Sequence, residues 1–321
     1  FDSNGNHLWS KSFGGTSYDY GNSVSVDSSG NVYITGHFPS STINFGGGDL
    51  TNSGDWDIYL AKFDSNGNHL WSKSFGGAGE EWGRSVSADS SGNVYITGWF
   101  GSSTINFGGD NLTNSGGEDI FLAKFDSNGN HLWSKSFGGT NYDYGSLVSV
   151  DSSGNVFITG HFSSSTINFG GDNLTNSGDF DIFLAKFASN GTHLWSKRFG
   201  GVDYDVGNSV SVDSSGNAYI TGKFRSSTIN FGGDNLTNSG GNCGGFPCND
   251  IFLAKFDSNG NHLWSKSFVG TGKDWWGYSV SVDSSGNVYI TGYFDSSTIN
   301  FGGGDLTNSG SSDIFLAKFK P

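Results

Sequence analysis

Three kinds of side chain in this sequence have the chemistry for a site, and the carboxylates come first. Glu81, Asp143 and Asp205 fall at matching places in successive stretches of the chain. Two acids in unlike environments, one on each side of a scissile bond, are what glycoside hydrolysis needs. Most other aspartates, as at Asp27, Asp89, Asp151, Asp213 and Asp283, stand in repeated and identical surroundings. That pattern does not separate an acid from a base, so no enzyme is expected, and Glu81, Asp143 and Asp205 are the acids to inspect. With Asp19 and Asp274 they also make a five-member set suited to a cation, although no metal or cofactor is expected. Asp2-Ser-Asn-Gly-Asn6 and its copies alternate oxygen ligands as a calcium loop does, but lack the downstream bidentate glutamate and read as turns. His7, His69, His131, His193 and His262 recur beside such turns and read as structural, with no Ser, His and Asp order for a nucleophilic triad.

Aromatic rings are the second kind. Of the ten tryptophans, Trp9, Trp71, Trp133, Trp195 and Trp264 repeat and read as packing residues. Trp56, Trp82, Trp99, Trp275 and Trp276 belong to the places that vary between the repeats, and Tyr18, Tyr20, Tyr142, Tyr144 and Tyr204 lie there too. Another variable position holds His37, Trp99, His161, Lys223 and Tyr293 in turn. Rings that bury much area while their polar tips stay hydrogen-bonded suit a sugar or a protein surface. The expected ligand-binding residues are therefore Tyr18, Tyr20, His37, Trp56, Trp82, Trp99, Tyr142, Tyr144, His161, Tyr204, Trp275, Trp276 and Tyr293. The competing expectation is that these loops fold inward and pack on their own aromatics.

Cysteine is the third. Cys243 and Cys248 lie in an insertion with two glycines and a proline between them. A disulfide loop of that size contributes about 2 kcal/mol and indicates an oxidising compartment.

These residues must be positioned by a repeat. Phe-Asp-Ser-Asn-Gly-Asn-His-Leu-Trp-Ser-Lys-Ser-Phe at Phe1 returns with small changes at Phe63, Phe125, Phe187 and Phe256. The units are 1–62, 63–124, 125–186, 187–255 and 256–318, the fourth lengthened by the cysteine insertion. Within a unit four strand-like runs follow one another, in the first Asn22–Val26, Val32–Phe38, Asp57–Phe63 and His69–Phe75. Asp27-Ser-Ser-Gly-Asn31 and Asp64-Ser-Asn-Gly-Asn68 join them as hairpin turns, Asp bonding its downstream backbone and Gly supplying a positive φ. No run has helical periodicity. Four antiparallel strands per repeat predict an all-β, five-bladed β-propeller over 1–321 as one domain. Its ring would close when a strand at His7–Phe13 completes the last blade beside Asp313–Phe319.

The loop into the inner strand and the loop between the second and third strands should emerge on one face, the two hairpin turns on the other. Gly-Asn-Val-Tyr-Ile-Thr-Gly at Gly30, Ile-Asn-Phe-Gly-Gly-Gly at Ile43 and Asp-Ile-Tyr-Leu-Ala-Lys-Phe at Asp57 together resemble the bacterial β-propeller repeat of secreted and cell-surface proteins. The strand order is similar to the NHL-type blade, with the run before Asp27 innermost. The resemblance implies a scaffold outside the cell and no particular chemistry.

A net charge of −14 repels nucleic acid, and no apolar run reaches the length of a membrane helix. Because the chain begins at Phe1 inside a repeat, a processed or excised piece is expected. Asn111, Asn173, Asn235 and Asn190 open glycan-acceptor triplets. The expected function is a non-catalytic extracellular module presenting a variable aromatic face to a glycan or protein. The alternative is a self-assembling structural subunit of a surface layer or filament.

Overall fold

The computed structural model describes the chain except residues 239, 240, 242, 244, 246, 271–275 and 321 and the side chain of Trp276. Among the described residues there is no helix, and the strands form five main antiparallel sheets, four of four strands and a last one of three. Their order within each sheet is inner, second, third and outermost, as in Tyr20–Val26, Val32–Phe38, Asp57–Phe63 and His69–Phe75. The chain divides into two compact units, Phe1–Gly138 with the first two sheets and Gly139–Pro321 with the other three.

The repeated motifs each have a local cause. Asp27 Oδ1 accepts from the Ser29 and Asn31 amides at 2.9 Å, and Gly30 takes φ 79°. This closes the inner hairpin as expected. The Thr-Gly of Ile-Thr-Gly is equally specific. Thr35 Oγ1 donates to Tyr59 O at 2.7 Å, and a Cβ at Gly36 would land on the Tyr20 carbonyl. The third strand, buried along its whole length from Asp57 to Phe63, lies between two other strands of its sheet. Hence it reads as a continuous apolar run.

Consecutive sheets inside a unit are joined by a repeated set of contacts. Ile58 and Leu60 bury against Val86, Ile96 and Phe121. Lys62 donates to Ser127 O at 2.9 Å with its ammonium 4.9 Å from the Tyr33 ring centre, and Trp71 Nε1 reaches the same carbonyl at 3.1 Å. The repeated tryptophan is thus a packing residue. The inner strands are tied by serine: Ser23 and Ser25 hydroxyls accept the amides of Val86 and Ala88 at 3.2 and 3.0 Å.

Two features differ from expectation. Between the second and third strands lies a small hairpin, in the first repeat Thr42–Asn44 paired with Asp49–Thr51, which brings Ile43 and Phe45 into the core. Its strands are too short for periodicity to register. Among the described residues, segment 7–13, expected to be a strand, is not part of a ladder within its own unit, and Asp313–Phe319 pairs with Val288–Phe294 in its own. A strand is defined by its ladder, and alternation within the segment could not supply the partner.

Candidate functional site

The register brings the variable positions together. Tyr20 pairs with His37, Trp82 with Trp99, Tyr144 with His161 and Val206 with Lys223. The residue before each third strand joins them, because the Glu81 amide donates to Trp56 O at 2.8 Å and the Asp205 amide to Phe180 O at 2.9 Å. Neighbouring sheets are zipped at this end by backbone.

In the first unit the rings stack on one another. His37 lies 4.1 Å from Trp82, 4.9 Å from Trp56 and 5.0 Å from Tyr20, and Trp82 lies 5.1 Å from Trp99. His37 is 1% exposed, and burial, then Arg84, pulls its pKa down to about 4. It is a neutral plate between rings, which corrects the expectation that His37 faces a ligand. Trp56, Trp82 and Trp99 are partly buried in the same column. What remains open is Tyr20 at one end and Tyr18, 78% exposed, beside it.

In the second unit Tyr142 and Tyr144 lie parallel, centres 6.4 Å apart and 8° between planes, with Tyr142 51% exposed. Tyr144 is backed by His161 at 5.2 Å and Phe180 at 6.0 Å, and Phe180 by Tyr204 at 5.0 Å. Lys223 is buried with its ammonium 5.1 Å from the Tyr204 ring, and burial, then Arg225, pulls it down to about 8. Tyr293 packs on Tyr278 at 5.6 Å. Trp275 and the side chain of Trp276 lie outside the described residues, as does Asp274. Cys243 and Cys248 are joined in a disulfide.

The acids singled out by sequence are built in as clamps. Asp143 Oδ1 accepts the Ser163 and Ser164 amides at 3.1 Å, and Oδ2 accepts the Gly139 amide at 2.9 Å and the Ser164 hydroxyl at 2.7 Å. Asp205 repeats this with Gly201, Arg225 and Ser226, and Glu81 with Gly77 and Ser102. All three are fully buried, and burial raises their pKa despite these bonds. Their oxygens hold the two loops together, and this occupies the acids marked for inspection. Among the described residues no group of three or more His, Cys, Asp or Glu is placed to hold a metal.

Because side chains alternate along an extended chain, fixing Asp143 inward throws Tyr142 and Tyr144 to the other side. The same Tyr-Asp-Tyr order surrounds Asp19, whose Oδ2 accepts from the Gly15 amide at 2.6 Å and the Ser40 hydroxyl at 3.0 Å. Sequence reasoning missed a second buried acid, the first residue of the third strand in the first four sheets. Asp57 and Asp181 accept the Ser53 and Ser177 amides at 3.0 and 2.9 Å, while their Oδ1 atoms are buried without a partner. The signal was an Asp at that position in all five repeats. Asn22 was also overlooked: at a bulge in its strand, its amide reaches His37 Nδ1 at 3.0 Å and Gly83 O at 2.7 Å.

The model of the β-propeller repeat matches residues 8–37, 70–99, 132–161, 194–223 and 263–297, once per sequence repeat. The chain belongs to a β-propeller repeat family. Each match runs from an outermost-strand segment through the loop and the inner hairpin to the variable position after Ile-Thr-Gly, or a few residues past it in the last. An uncharacterized WD repeat-containing protein of Acanthamoeba polyphaga mimivirus is 23% identical over 92% of this chain and 26% of its own length. The regulatory protein FlaEY of Caulobacter vibrioides is 26% identical over 50% of this chain and 18% of its own. The chain thus spans about a quarter or less of these relatives. A solved gluconolactonase of Xanthomonas campestris overlays 85% of this chain and 83% of its own at 9% identity and a TM-score of 0.29.

Proposed function

We propose that this chain is a non-catalytic binding module displayed outside the cell, whose exposed tyrosines at the loop end take a glycan. A protein surface is the other ligand suited to such rings. The scaffold of this reading is one domain of five blades, with a 7–13 strand as the fourth strand of the last. The observation that carries it is the parallel pair Tyr142 and Tyr144, half open to solvent on a loop fixed by the buried Asp143. An aromatic platform held rigid before binding loses little entropy when a sugar ring stacks on it. Tyr18 and Tyr20 around Asp19 give the first unit a comparable surface, so two weak sites acting together would raise avidity. The disulfide supports a location in an oxidising compartment.

A glycan array probed with the 321-residue chain and with Tyr18→Ala/Tyr142→Ala tests this. Binding that falls at least about tenfold in the variant supports the platform, since about 1.4 kcal/mol is one decade. Silence from the folded wild-type chain, or binding unchanged in the variant, overturns it. A building block of a surface layer or filament is a second reading, favoured by an apolar sheet face in the first unit.

A further inference from the structure

The turn before each outermost-strand segment carries the pair Asn-Gly, at Asn4, Asn66, Asn128, Asn190 and Asn259. Four of these turns are tied by an aspartate. Asp64 Oδ1 accepts the Asn66 and Asn68 amides at 2.9 and 2.8 Å, and Oδ2 accepts the Asn68 side-chain amide at 2.8 Å. Asp2, Asp126 and Asp257 make the same three bonds.

The turn of the third sheet departs at two positions. Ala188 stands in place of the aspartate and Thr192 in place of the second asparagine. The backbone keeps its form: Gly191 N–H donates to Ala188 O at 2.9 Å, and Gly191 takes φ 82°. The acceptor that Asp64 offers to the Asn68 amide is here offered by Asn190 itself, because Thr192 N–H donates to Asn190 Oδ1 at 3.0 Å. Asn190 is exposed to solvent.

That bond lies where charge develops when the side-chain amide of Asn190 is attacked. An N–H held on a carbonyl oxygen draws electron density from its carbon and stabilises the oxyanion of an addition. The nucleophile is the next residue. Gly191 has no Cβ to hinder the closure of its nitrogen onto Asn190 Cγ, and an attack within one chain needs no encounter. In the first sheet the Asp64 carboxylate lies 2.9 Å from the Asn66 nitrogen, where it opposes a second negative charge. Its bonds also resist the opening that must free the glycine amide. Ala188 does neither.

We propose that Asn190 is a site of self-modification, its side-chain amide converted by Gly191 and water into a carboxyl group. Gly191 N gives its proton to solvent and bonds to Asn190 Cγ. The Cγ–Nδ2 bond breaks, and that nitrogen leaves with a proton as ammonia. The cyclic imide then takes up one water at either carbonyl and opens to an aspartate or an isoaspartate, so the net change consumes one water and releases one ammonia. In the aspartate product a carboxylate faces the Thr192 amide, a charge-assisted bond of the kind Asp64 makes with Asn68. The turn whose sequence lacks an acid thereby acquires one. This site is independent of the tyrosine platform.

The test is peptide mass spectrometry of the folded 321-residue chain incubated at mildly alkaline pH, following amide-to-acid conversion at Asn66, Asn128, Asn190 and Asn259. Conversion at Asn190 is expected to be about tenfold faster than at the other three, the scale of one net hydrogen bond. Ala188→Asp installs the residue the other turns carry, should keep the wild-type circular dichroism, and should bring Asn190 down to their rate. In urea-unfolded chain the four rates should converge, because every site is then a plain Asn-Gly pair. Equal rates in the folded chain, an Ala188→Asp variant that converts as fast as the wild type, or a gap that survives unfolding would each overturn the proposal. Tyr18→Ala/Tyr142→Ala should convert like the wild type whatever its glycan binding, so the two readings fail separately.

Discussion

At one end of each complete sheet the aspartates sit in short turns, and at the other they are sealed between loops. In the turns the carboxylate is held ionised. The Asn68 side-chain amide, followed by the Asn68 and Asn66 backbone amides, lowers Asp64, and the equivalent asparagines do the same for Asp257 and Asp283. At the loop end burial dominates. It raises Glu81, Asp143 and Asp205, and pushes Asp57 and Asp181 up to about 6. One residue type thus does opposite work, and the difference lies in water. A turn carboxylate organises amides that solvent could also satisfy, whereas a clamp carboxylate gathers several donors in a buried site. The third sheet shows how dispensable the first role is. Ala188 stands where Asp64 stands in the first, and its turn still closes through the backbone, Ala188 N–H to Thr192 O at 2.8 Å.

Removing one carboxylate from each end gives the largest contrast. Asp143→Ala takes the carboxylate acceptor from the Gly139 and Ser164 amides and the Ser164 hydroxyl, while the Ser163 amide keeps Tyr142 O, and should cost about 3 kcal/mol. Asp64→Ala should cost about 1 kcal/mol, because water replaces the lost acceptor. Urea denaturation of both variants measures the gap, and equal losses would erase the distinction.

Glycine sharpens the same contrast. Gly36→Ala drives a methyl into the Tyr20 carbonyl and should cost about 3 kcal/mol, as overpacking does. Gly30→Ala meets only Ser65 at 3.4 Å and carries the left-handed strain alone, about 1 kcal/mol. Thermal midpoints in the same order would support this reading, and the reverse order would break it.

The two ends should also separate by pH. Asp57 and Asp181 have folded values near 6, above the ~3.9 of an unfolded aspartate. The folded chain therefore binds more protons between those values, and this contribution to stability grows as pH falls from about 6 to about 4. The turn aspartates have lowered folded values, so their contribution is present above the unfolded pKa and is lost as pH falls below it. Urea midpoints should rise from pH 7 to pH 5 and fall again by pH 3. Asp57→Asn should flatten the first limb and leave the second.

The smallest effect concerns a clamp with a counter-ion. Arg198 stands where the first repeat has Ser74, and its guanidinium lies 3.0 Å from Asp181 while donating to Thr175 O and Gly200 O. Arg198→Ser should cost about 1 kcal/mol at pH 7 and less at pH 5, below the value near 6 at which Asp181 takes up its own proton.

What could be read from the sequence follows the same division. The turns were legible because Asp, Gly and Asn act locally, within five residues, and the third strand because its apolar run is continuous. The pairing of Tyr20 with His37 and of Trp82 with Trp99 was foreseeable as a shared face. That His37 would be the buried plate of a stack was not, since burial depends on Trp56 and Trp82 arriving from other elements. The clamp role of Asp143 was hidden for the same reason: its partners Ser163 and Ser164 are twenty residues away and on another loop.

Side-chain carboxyl NMR of the chain, titrated from pH 8 to pH 2 with assigned aspartates, tests the contrast between the two ends most directly. The account predicts two populations: Asp57 and Asp181 turning over near 6, and the turn aspartates Asp64, Asp257 and Asp283 below the free-aspartate value. A single population near 4 at both ends would contradict it.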